Sequence, residues 1–148
     1  MLAINARLKI DPDKIVKELE SRAWEGIQRA TVFLHSKVKE ALNVPNSGER
    51  RKHPARKTPS GRAASYTVYP HPSRPGEPPR KRTGWLQSQV AYDLDRTRLQ
   101  GRVGVRVSAR YGLYLELGTR RMQARPFITA PIVQYRAQLD ALIRSGRG

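Results

Sequence analysis

Cysteine is absent from the 148 residues. That excludes a disulfide framework, a thiolate metal site and a cysteine nucleophile, and it fits synthesis in a reducing compartment. Histidine is scarce, with only His35, His53 and His71, and none is followed by a histidine or carboxylate three or four residues on. Zinc needs three or four converging ligands, so no metal site is expected. Neither GxxxxGK[ST] nor GxGxxG occurs, which removes the usual phosphate-cradling loops, and there is no GxSxG for a serine nucleophile. No stretch approaches the roughly 18 apolar residues that span a bilayer. The opening MLAINARLKIDPDK has no long apolar run after a basic start, so no signal peptide is expected. The expectation is a soluble, non-catalytic chain without a cofactor.

Acidic residues are also few. Twelve Asp and Glu face 29 Lys and Arg, for a net charge of +17 and a pI near 11.2. Such an excess opposes compaction and attracts polyanions, nucleic acid being the commonest, or an acidic protein surface. Hydrophobic residues make up 38% and aromatics 7%, enough for one modest core. The length suits a single domain over 1–148.

Apolar periodicity divides that domain into three. Ile4, Ala6, Leu8 and Ile10 alternate with polar neighbours, a strand pattern. Asp11-Pro12-Asp13 supplies a helix start, and Val16, Leu19, Ala23, Ile27, Ala30, Leu34, Val38 and Ala41 follow at helical spacing. Trp24 and Phe33 widen this helix's apolar surface. Residues 1–43 are thus a strand and a long helix reaching about Leu42. Residues 44–82 hold eight of the eleven prolines and ten Lys/Arg against Glu49 and Glu77, so this segment carries +8 of the +17. Its lack of aliphatic residues predicts an extended basic loop in which only SYTVYP (65–70) suits a strand. Residues 83–148 become regular again. Thr83 starts a short helix; Val90, Tyr92 and Leu94, then Leu99, Val103, Val105 and Val107, alternate as an antiparallel hairpin. Tyr111 to Leu117 reads as a short helix ended by Gly118. Pro126 or Pro131 opens a last helix with Ile132, Tyr135, Leu139, Leu142 and Ile143 inward. The fold class is α+β: a small antiparallel sheet packed against a long N-terminal helix and a C-terminal helix, with a long basic loop.

Candidates for chemistry are thin. Asp93 and Asp95 share a strand face but read as a polar edge, and Gly101 and Gly104 as strand glycines at a bulge or close approach. The basic loop residues Arg50, Arg51, Lys52, Arg56 and Lys57, with Arg80, Lys81 and Arg82, suit phosphate or acidic-rim contact, with Tyr66 and Tyr69 available to stack. No RNP, KH or finger signature accompanies them, so such contact is sequence-independent and salt-sensitive.

Two stretches are more specific: PGEPPRKRTGWLQSQV (75–90) and YGLYLELGTRRMQARPFITAPI (111–132). Together they resemble the neck, or tail-completion, family of long-tailed bacteriophages, which joins heads to tails. Pro75, Gly76, Pro78, Pro79, Thr83, Gly84 and Leu86 match in the first. Tyr111, Tyr114, Glu116, Gly118, Thr119, Met122, Ala124, Arg125, Pro126, Phe127 and Pro131 match in the second, which is the more specific. The N-terminal half matches in pattern alone, and the basic 44–64 stretch departs from the family. The resemblance implies a virion protein of the head–tail neck, made in the host cytoplasm and assembled as a ring, hexamer or dodecamer, around the DNA path. Its implied partners are copies of itself, head-completion proteins, tail-tube or terminator proteins, and DNA passing non-specifically, with no membrane. Physical reading adds that Gly118 permits a sharp turn, Phe127 anchors the core, and Glu116 pairs with Arg125. The alternative is a small basic, sequence-independent nucleic-acid-binding protein.

Overall fold

In the computed structural model, residues 11–46, 49–68 and 73–145 are described, without the side chains of 49, 50 and 53–55. The strand expected over residues 1–10 lies outside them, as do Tyr69, Pro70 and His71. Helix α1 spans Pro12–Ala41, with Pro12 in its first turn and the Asp11 carboxylate accepting from the Lys14 amide at 3.3 Å. These are the start signals read from the sequence. Its buried residues, Gly26, Ala30, Thr31 and Val38, all lie in its C-terminal two thirds.

The remaining elements pack on that part of α1. Strands β3 (Val90–Asp95) and β4 (Gln100–Val105) form the expected hairpin, in register from Val90↔Val105 to Asp95↔Gln100. Gly101 lies so close to α1 that a Cβ there would overlap the Thr31 hydroxyl, which settles the close-approach reading of this glycine. Helix α2 (Trp85–Ser88) is the short helix expected after Thr83, and helix α3 is Tyr111–Leu117, as expected. The last helix is broken in two, α4 (Thr129–Gln134) and α5 (Arg136–Arg144), at Tyr135 with φ −105° and ψ 16°. The break turns the apolar stripe. Tyr135, Leu139 and Leu142 are half-buried as expected, whereas Ile132 and Ile143 are exposed. Val107 does not extend β4 either; it opens a 3-10 turn (Val107–Ala109) and is 80% exposed. The core is small: Val38, Leu42, Val90 and Phe127 are buried together, with Leu34, Leu86, Val103, Val105, Leu115 and Ile128 against them. The architecture is α+β.

The 44–82 segment is the main correction. In place of an extended loop with one short strand, strands β1 (Glu49–Lys57) and β2 (Ala63–Val68) form an antiparallel hairpin. Arg51 faces Tyr66 and Lys52 faces Ser65, and the register then shifts before Lys57↔Ala63. Pro54, which has no N–H to offer a ladder, falls inside that irregular stretch, where a bulge tolerates it. The hairpin packs chiefly on itself. Strand β1 carries no alternating apolar period that would announce it in the sequence.

Candidate functional site

The two stretches at 75–90 and 111–132 meet in space. The Gly76 amide donates to the Ala124 carbonyl at 2.9 Å, and the Arg125 Nη1 donates to the Ser73 hydroxyl at 3.0 Å. Lys81 fastens the same segment to the end of α1: its amide donates to the Val44 carbonyl and its carbonyl accepts from the Asn46 amide. Its ammonium donates to the Asn43 side chain at 3.1 Å. Between these elements lies a cavity of about 520 Å³ whose wall takes in Arg80, Lys81, Arg82, Trp85, Tyr111 and Arg125.

Residue 116 carries the turn. One carboxylate oxygen of Glu116 accepts from the Phe127 and Ile128 amides at 2.7 and 3.0 Å; the other accepts from the Thr129 amide at 2.8 Å and its hydroxyl. These are orphan donors at the start of α4, which has no side-chain cap of its own. Burial by itself would raise the carboxyl pKa. The hydroxyl and the three amides outweigh it and hold Glu116 below its ordinary value. The expected Glu116–Arg125 pair is not formed: three amides and the Thr129 hydroxyl occupy both carboxylate oxygens, and Arg125 turns to Ser73 instead.

Around it the other matching residues close a tight turn. Gly118 ends α3 at φ +75°, and Thr119 and Met122 exchange backbone bonds at 2.8 and 3.2 Å. A Cβ on Gly118 would stand 2.8 Å from the Ala124 nitrogen and 2.9 Å from the Met122 oxygen. Gly118→Ala should lower stability by about 1–3 kcal/mol, from left-handed strain and this backbone contact. An unchanged melting temperature would refute that account. Phe127 is fully buried, and Pro126 is half-buried beside it. Tyr111 and Tyr114 are exposed, and desolvation raises the Tyr111 phenol pKa. On α3, Leu113, Tyr114 and Leu117 present a large apolar face outward, with Leu117 70% exposed.

The basic residues divide in two. Arg51, Lys52, Arg56 and Lys57 are exposed on the β1–β2 hairpin, Arg50 pairs through its backbone with Thr67, and Arg80, Lys81 and Arg82 sit at the cavity. Of the histidines, His35 lies 3.3 Å from the Val90 carbonyl and edge-on to Tyr92, a packing role. Asp95 accepts from the Arg98 amide at 3.1 Å and closes the hairpin turn. No group of three metal-ligating side chains occurs among the described residues, and no helix among them is long and apolar enough to cross a membrane.

Sequence reasoning missed Asn46 and Ser73. Both are buried in the cavity wall, and the Asn46 Oδ1 and Arg125 Nε have no hydrogen-bond partner. Each orphan costs about 1–3 kcal/mol. A small polar residue in a proline-rich stretch gives no local signal of burial. Compared with known proteins, the chain matches no family model, no curated protein and no solved structure.

Proposed function

We propose that this chain is a structural assembly protein of a long-tailed phage particle. In this reading it forms a ring of copies around the DNA path at the head–tail junction and joins tail to head. One observation carries the reading. Within 111–132 the matching residues Glu116, Gly118, Thr119 and Phe127 build a turn that supports itself, while Leu113, Tyr114 and Leu117 are left outward on one helix face. A scaffold that spends its polar residues on its own rigidity and presents leucine and tyrosine outside is suited to covering by a neighbour. Repetition of one head-to-tail contact closes into a ring. The neighbours above and below would be head-completion and tail-tube or terminator proteins. Catalysis plays no part.

A second reading, sequence-independent nucleic-acid binding, is favoured by the four exposed cations on the β1–β2 hairpin beside exposed Tyr66. Two measurements separate the readings. A density map of the assembled particle should find the chain as a closed ring with α3 at the contact between copies; a single isolated copy would overturn the assembly role. Purified chain should release duplex DNA at physiological salt. Retention there, with an affinity that falls steeply with log salt, would favour the second reading.

A further inference from the structure

We propose that the cavity beside Arg125 receives the C-terminal residue of a partner protein, holding its carboxylate, its last amide and an apolar side chain. Independent features of the cavity converge on that chemistry. Two residues of its wall carry a buried polar atom without a partner, the Arg125 Nε as donor and the Asn46 Oδ1 as acceptor. Asn46 is 8% exposed and Ser73 4%, so the polar part of the wall is built into the fold rather than lying on its surface. The Ser73 hydroxyl holds Nη1 at 3.0 Å, while Nε is left without an acceptor. A chain terminus carries the complement of this pair: a carboxylate that accepts from the guanidinium fork and an amide N–H that donates to Asn46. Both orphan atoms are closed off from bulk water. To meet them the occupant draws the Asn46 and Arg125 side-chain ends toward the cavity.

Charge and shape narrow the occupant further. Arg80, Lys81 and Arg82 add three cations to the wall, and among the described residues no Asp or Glu lines it. Trp85, Leu86 and Tyr111 supply an apolar side on which an aliphatic or aromatic side chain can rest. Duplex DNA is too broad to enter a 520 Å³ hollow. An acidic partner with an apolar last residue meets no such obstacle.

The test uses the isolated full chain, so it is independent of whether the particle map finds a ring. N-acetyl-leucine imitates a chain terminus, and N-acetyl-leucinamide lacks only the charge. Titration followed by nitrogen-15 NMR should shift the Trp85 indole and the Arg125 Nε–H with N-acetyl-leucine, at least five-fold more tightly than with the amide. The Trp24 indole should stay still. Arg125→Lys keeps the charge and loses the fork, and should weaken binding about ten-fold or more. Should that variant not fold, Trp85→Ala, at a half-exposed wall position, should weaken it several-fold. Equal binding of the two probes, or no shift with either, overturns the proposal. Inorganic phosphate binding as tightly as N-acetyl-leucine overturns it in favour of a general anion site.

Discussion

Phe127→Ala should destabilise the domain by about 3–5 kcal/mol, the usual cost of emptying a large aromatic position in a core. For a domain of this size that lowers the melting temperature by roughly 10–15 °C. The ring is completely buried and belongs to a cluster with only three other buried members, Val38, Leu42 and Val90. Little is left to collapse into the void. One neighbour, Gly112, has no side chain to offer; a Cβ there would stand 3.5 Å from the Phe127 ring tip. Thermal unfolding of the variant checks this, and a fall of under about 3 °C would place the core elsewhere.

Glu116→Gln should cost about 2–4 kcal/mol at neutral pH, because the amide group turns donors toward N–H groups that need acceptors. Its pH dependence is the sharper test. The folded pKa of Glu116 lies below the ordinary 4.5. The stabilisation is therefore fully present above that value and is lost as pH falls through the depressed folded pKa. The gap in melting temperature between wild type and variant should accordingly be widest near pH 7 and narrow in acid. Parallel curves down to acid would show that the charge does not hold the start of α4.

The sequence disclosed elements whose signal is local. Helix α1 was legible because its cap, its proline and its apolar spacing agree, and α3 because Gly118 closes it. The β3–β4 hairpin was legible from simple alternation. The β1 strand, ERRKHPARK, has no alternation to read and contains a proline, so its pairing with β2 was visible only at SYTVYP. Charge suggested Arg125 as the partner of Glu116, while the actual donors are backbone amides that no side-chain pattern announces. The cavity depends on Asn46, Ser73 and Arg125 arriving from three separate segments. Only folding brings them together.

Helix α1 is anchored unevenly, and this has a mechanical consequence. Gly26 touches the α5 backbone so closely that a Cβ would overlap the Ile143 carbonyl, and Thr31 is pressed against Gly101. Every residue from 11 to 20 is exposed. The helix is thus clamped along its C-terminal part and runs out as a cantilever of about 20 Å from Gly26 to Pro12. A stiff beam converts rotation at its clamp into travel at its tip: a tilt of about 10° would sweep Pro12 through roughly 4 Å. Ile15, Val16 and Leu19 lie exposed on that outer end.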